Sequence, residues 1–164
     1  MTVQYASDLH LEFPQNKEFL NLHPIQPKGD VLLLAGDIVL FARMDEHADF
    51  FSYVSDNFQT VYWVPGNHEY YHFDIATKCG VLNERIRSNV FLVNNITVQH
   101  EDINFIFSTM WSKISPEYVW QIERGMNDFH LIKFNGNRFS SVQFNQLHME
   151  SMVFLKEELL RTRR

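Results

Sequence analysis

The clearest hydrophobic signal is the short unbroken run Val31-Leu32-Leu33-Leu34-Ala35, closed by Gly36-Asp37. A run this short and this apolar predicts a strand buried on both faces, as in a parallel sheet covered by helices. Between Asp45 and Phe58 the pattern changes: Ala48, Phe51, Val54 and Phe58 recur every three or four positions, with Asp45, Glu46, Asp49 and Asp56 among them. That periodicity predicts an amphipathic helix, acidic at its start as the helix dipole favours. A β-branched and aromatic strand is predicted over Thr60 to Val64, cut by Pro65-Gly66. Strand, helix and strand of these lengths make a βαβ unit, so the two strands should run parallel. A further short strand is predicted over Thr2 to Ala6, followed by a loop punctuated by Pro14, Asn16, Asn21, Pro24, Pro27 and Gly29.

Beyond Pro65 the pattern alternates more quickly. It predicts a helix over Phe73 to Arg87 and short strands over Val90 to Val93, Ile96 to Gln99 and Ile103 to Ser108, the first two joined by an Asn94-Asn95 turn. Ser115-Pro116 resembles an N-cap and first-turn proline opening a helix to about Arg124. Asn135-Gly136-Asn137 predicts a turn, and Ser140 with Gln143 a capping box for a final helix to about Arg161. No repeat, low-complexity tract or linker interrupts the 164 residues, so a single α/β domain is expected.

Composition narrows the class. Lys plus Arg is 14 against 20 Asp plus Glu, a formal charge of −6. That balance argues against a nucleic-acid stripe or an anionic-membrane surface. The lone Cys79 excludes an internal disulfide and a cysteine zinc cluster, and nothing near it in sequence would lower its pKa. No apolar run approaches the roughly 20 residues of a membrane helix, and the N-terminus lacks the pattern of a secretion signal. A soluble cytoplasmic protein is expected.

Three predicted strand ends carry the chemistry: Ser7-Asp8-Leu9-His10, then Gly36-Asp37, then Gly66-Asn67-His68-Glu69. In open α/β sheets ligands bind outside the carboxyl ends of the strands. Asp8, His10, Asp37, Asn67 and His68 should therefore meet on one rim. Two carboxylates, imidazoles and an amide oxygen form a mixed O/N donor set suited to Mn, Fe or Zn. Asp8 and His10, two apart in an extended segment, would face one side. Asp37 offers two oxygens and could bridge two cations. Gly36 and Gly66 would let the backbone turn sharply near the ions. His68 is positioned to donate a proton or steady developing charge. Taken singly, Asp8, Asp37 and Asn67 also fit ordinary turn chemistry.

Asp8-x-His10, Gly36-Asp37 and Gly66-Asn67-His68-Glu69, in this order and these strand contexts, resemble the first three motifs of the calcineurin-like metallophosphoesterase superfamily. Met126-Asn127-Asp128-Phe129 resembles a segment over the active site in such proteins. The resemblance implies a β-sandwich flanked by helices and a two-metal hydrolase of phosphate mono- or diesters. It implies that Asp8 and His10 hold one metal, Asp37 bridges, Asn67 holds the second, and His68 is catalytic. Glu69 would orient ligands from behind. Two divalent ions about 3.5–4 Å apart would activate the attacking water.

The family completes its metals with three later histidines, two of them in Gly-His-x-His. None of the six glycines here precedes a His, and no His-x-His occurs. The chain is thus expected to be the N-terminal part of a longer domain, truncated over residues 1–164, with metal held weakly and self-association through the exposed sheet. A non-enzymatic scaffold or interaction module of the same fold is the alternative expectation. Tyr70, Tyr71 and His72 fit either a substrate pocket or loop packing, and Asn127 and Asp128 either a lid or a helix end. Phe129, Phe134, Phe139 and Phe144 are expected in core or lid packing. Arg161, Arg163 and Arg164 are expected at a solvated helix end.

Overall fold

Three parallel strands at the start of the chain set the frame. They are β1 (Val3–Ala6), β2 (Val31–Ala35) and β3 (Thr60–Val64), each beside the next in parallel register. The computed structural model describes residues 1–100 and 102–161. Two further strands, β4 (Leu82–Arg87) and β5 (Val90–Asn94), complete a five-stranded sheet in the order β1-β2-β3-β5-β4, with β5 parallel to β3. Contacts divide the chain into two units: Met1–Tyr71 with Asn83–Leu92, and His72–Leu82 with Val93 onward.

In the first unit the βαβ expectation holds. A 3-10 turn (Phe41–His47) leads into α2 (Ala48–Asn57), the second helix of the chain, which buries Phe50, Phe51 and Val54. Phe51 and Phe41 lie 5.2 and 5.4 Å, ring to ring, from Trp63 of β3, and Phe41 meets Tyr70 edge-on at 5.1 Å. Leu32 and Leu34 on one face of β2 are wholly buried, as are Val61 and Trp63 of β3. On the other face of β2 Leu33 is half-buried and Ala35 exposed, so the expected cover on both faces of β2 is only partial.

Two local expectations fail for identifiable reasons. The Pro- and Asn-rich stretch after β1 is not all loop, because α1 (Pro14–Leu22) occupies its first half. Pro14 stands in the first turn, where its fixed φ suits a helix and its missing N–H costs nothing. No residue of α1 is buried, so no apolar stripe announces it in the sequence. Asn16 ties it down instead, its Nδ2 donating to the carbonyls of Leu9 (3.0 Å) and His10 (3.2 Å). The helix predicted over Phe73 to Arg87 is replaced by a 3-10 turn (Ile75–Thr77) and by β4. Gly80, at φ +73°, breaks the run, and beyond it Leu82 is buried and its neighbour Asn83 exposed, a strand alternation.

The second unit holds the antiparallel pair β6 (Ile96–His100) and β7 (Ile103–Phe107). The chain does turn at Asn95, at φ +48°, but β5 and β6 join different sheets rather than pairing. Next come α3 (Val119–Gly125), entered through a 3-10 turn begun by Pro116, and the short α4 (Asp128–Leu131). A small hairpin of β8 (Lys133–Phe134) and β9 (Asn137–Arg138) turns through left-handed Asn135 and Gly136. The final helix, α5 (Ser141–Arg161), opens on the expected capping box: Ser140 donates its backbone N–H to Gln143 Oε1 at 3.1 Å. Phe129, Phe139 and Phe144 pack with Trp111 as the aromatic core of this unit, while Phe134 is half-buried in the hairpin. Asn127 and Asp128 begin α4, the Asn127 carbonyl accepting from His130 and Leu131. Arg161 pairs with Glu158, whereas Arg163 and Arg164 lie outside the described residues. Among the described residues no helix is long and apolar enough to cross a membrane.

His47, at the turn into α2, is 3% exposed, and neither ring nitrogen has a hydrogen-bond partner among the described residues. Burial, assisted by the Lys17 charge, pushes its pKa below 6.5. The unfolded chain therefore takes up this proton more readily, and folding loses stability as pH falls below that value. His47→Leu should become progressively more stable relative to the parent between pH 7.5 and 5.5, read from urea midpoints. A gap independent of pH would contradict the buried neutral imidazole.

Candidate metal centre

The ends of β1, β2 and β3 continue as three loops, the first two held in register by their backbones. Asp8 N–H donates to the Gly36 carbonyl (3.0 Å), His10 N–H to that of Asp37 (2.9 Å) and Leu11 N–H to that of Ile38 (2.9 Å). Asp8, His10 and Asp37 all take left-handed backbone conformations, at φ +56°, +46° and +57°. Asp8 and His10 thus do not lie in extended backbone as the sequence suggested; two left-handed residues bring them round instead. Such geometry costs about 1–3 kcal/mol per non-glycine residue and concentrates where side-chain placement matters. The outcome is convergence. One ligand atom each from Asp8, His10 and Asp37 lies within 4.8 Å of the others.

The second and third loops are fastened by Glu69, which is wholly buried. Its carboxylate accepts from the backbone N–H groups of Asp37 (3.0 Å), Ile38 (2.8 Å) and Gly66 (2.7 Å), and from Trp63 Nε1 (3.1 Å). Burial pushes this carboxyl up to about 7, the Asp37 charge acting the same way and the N–H donors opposing. Asp37 Oδ1 in turn accepts from His68 N–H at 3.1 Å. Gly66 makes room for this: a Cβ there would stand 2.1 Å from Asp37 Oδ1. Gly36, at φ +88°, passes so close to Gly66 that its own Cβ would lie 3.1 Å from the Gly66 backbone.

His68 lies beside His10, the rings edge-on at 4.4 Å, and beside Tyr71 at 4.2 Å. Asn67 Nδ2 donates to the Tyr71 hydroxyl at 3.3 Å. Tyr71 therefore belongs to the site's wall, whereas Tyr70 is core, buried against Phe41. Sequence reasoning missed Glu12. One of its oxygens lies 3.2 Å from Nδ1 of both His10 and His68. The continued spacing of Asp8, His10 and Glu12 was the available signal, but the His10–Phe13 turn that folds Glu12 back is a matter of backbone geometry. Elsewhere, His130 and His148 are engaged with the carbonyls of Arg124 and Trp111. Cys79 is half-buried, and burial raises its thiol pKa.

The donor set fits a divalent cation. Two carboxylates and an imidazole from two chain segments meet within coordination reach, and among the described residues no Lys or Arg pairs with Asp8 or Asp37. Oxygen and nitrogen donors of this kind suit Mn, Fe or Zn.

The fold and this rim define an α/β protein with a potential metal site at the carboxyl ends of its parallel strands. The family model for calcineurin-like phosphoesterases matches residues 1–160, and the chain belongs to that family. An uncharacterized protein of Acanthamoeba polyphaga mimivirus is 29% identical over 179 residues, an alignment covering 96% of this chain and 62% of that protein. The crystal structure of phosphopantetheinyl hydrolase from Mycobacterium tuberculosis matches with a TM-score of 0.63 at 18% identity, over 94% of this chain and 63% of that one. At that identity the likeness is one of fold, and the fold is calcineurin-like. The chain spans less than two thirds of the length of both relatives.

Glu69→Gln would turn an amide N–H₂ toward backbone donors. We expect a loss of about 2–3 kcal/mol of folding stability by urea denaturation at alkaline pH. A variant as stable as the parent would contradict the clasp.

Proposed function

We propose that the protein is a metal-dependent hydrolase of phosphate esters, acting through the rim of Asp8, His10, Asp37, Asn67 and His68. The observation that carries this reading is the convergence of Asp8 and His10 from the loop after β1 with Asp37 from the loop after β2, supported by membership of the calcineurin-like phosphoesterase family. Asp8 and His10 would hold one divalent cation, with Asp37 as the shared carboxylate. Asn67 would contribute its amide oxygen, while its Nδ2 donates to the Tyr71 hydroxyl. Bound divalent cations supply Lewis-acid charge stabilisation and an activated water. His68, held against His10 and Tyr71, would present its Nε2 to the ester's leaving oxygen and hand it a proton. The acidic chain leaves attraction of the anionic substrate to the cations.

The test is turnover of an aryl phosphate and of its diester with Mn²⁺, with Mn²⁺ affinity measured in parallel by calorimetry. We expect Mn²⁺-dependent hydrolysis of at least one ester, abolished by chelation and by Asp37→Asn. Full activity in that variant would remove Asp37 from the mechanism, and absence of both turnover and Mn²⁺ binding would favour a non-enzymatic scaffold. Gly66→Ala, which drives a methyl into Asp37 Oδ1, should weaken Mn²⁺ binding at least tenfold. Unchanged affinity would show that the approach of Gly66 to Asp37 is immaterial.

A further inference from the structure

We propose that Glu12 is the positioning residue of this site, fixing the tautomer and orientation of both imidazoles through a single carboxylate oxygen. Its side chain is 9% exposed, and Oε1 lies 3.2 Å from His10 Nδ1 and 3.2 Å from His68 Nδ1. A carboxylate has only acceptors to offer, so each imidazole must bring Nδ1–H to it. Both Nε2 atoms then keep their lone pairs. For His10, Nε2 is the nitrogen left to join Asp8 and Asp37; for His68, it is the nitrogen left to face a substrate, where it takes up a proton to become imidazolium and passes that proton to the leaving oxygen while Nδ1–H stays on Glu12. The two rings meet edge-on at 4.4 Å, an arrangement that a shared acceptor holds in place.

The other oxygen of Glu12 is buried and has no hydrogen-bond partner among the described residues. A buried unsatisfied acceptor costs about 1–3 kcal/mol, and a neutral apolar residue would avoid that cost. Retaining a carboxylate here makes sense if Oε1 does a task that no apolar side chain can. Glu12 also lies within 4.8 Å of His10 and His68 as a possible ligand group, but an Nδ1 that carries a proton cannot ligate. The tautomer therefore decides between a cation among Glu12, His10 and His68 and one beside Asp8 and Asp37.

The consequence for metal affinity rests on the metal-centre reading above; the tautomer itself does not. Long-range ¹H–¹⁵N spectra of the metal-free chain, at a pH where imidazoles are neutral, report each ring directly. His10→Gln and His68→Gln assign two of the eight histidines. We expect Nδ1–H for both rings in the parent, a shift toward Nε2–H in Glu12→Ala, and retention of Nδ1–H in Glu12→Gln, whose amide oxygen still accepts. Zn²⁺ should then perturb Nε2 of His10 and leave its Nδ1–H in place. Mn²⁺ affinity should fall 10- to 100-fold in Glu12→Ala, the usual range when a histidine ligand loses its orienting partner. If Glu12→Ala does not fold, the parent spectrum alone decides. Rings in the Nε2–H form, or a Zn²⁺ shift at Nδ1, would overturn the inference even if the metal site stands. Nδ1–H rings in a chain that binds no Mn²⁺ or Zn²⁺ would uphold the role of Glu12 and defeat the metal-centre reading instead.

Discussion

A buried carboxylate is the constraint on which the site depends. Glu69 lies in the third loop, yet two of its hydrogen bonds go to Asp37 and Ile38 in the second, and two to Gly66 and Trp63 at the end of β3. Removing a carboxylate from water is expensive, and only a full set of donors makes it tolerable. The four donors here are three backbone N–H groups and one indole, all fixed by the ends of strands. The clasp thus converts the register of β2 and β3 into a fixed separation between their loops. Asp37 and His68 inherit their positions from it.

The rest of the rim is held under strain. Asp8, His10 and Asp37 occupy left-handed backbone, and two carboxylates converge with no Lys or Arg paired to them among the described residues. In a loop selected only for stability, glycine or asparagine would relieve the first cost and a lysine the second. Both costs persist at one place, and a bound divalent cation would offset both. The imidazoles complete the arrangement from the side, clamped by Glu12 below and Tyr71 beside.

Much of this was legible in the sequence because it follows from short-range rules. The apolar run Val31 to Ala35 and the three- and four-residue spacing from Ala48 to Phe58 identify a βαβ unit, and Gly36-Asp37 and Gly66-Asn67-His68-Glu69 mark its strand ends. What was not legible depends on tertiary structure. The exposed α1 has no apolar stripe, and β4 reads as helix until Gly80 is seen to break the run. Glu12 becomes meaningful only when the turn at His10–Phe13 folds it onto two imidazoles, one of them 56 residues away in sequence.

The central claim is that the loops after β1, β2 and β3 form a cradle for a divalent cation. Anomalous diffraction from crystals soaked in Mn²⁺ tests it most directly. The account predicts an anomalous peak within coordination distance of Asp8, His10 and Asp37. Manganese bound only elsewhere on the chain, with those three side chains unligated, would contradict it.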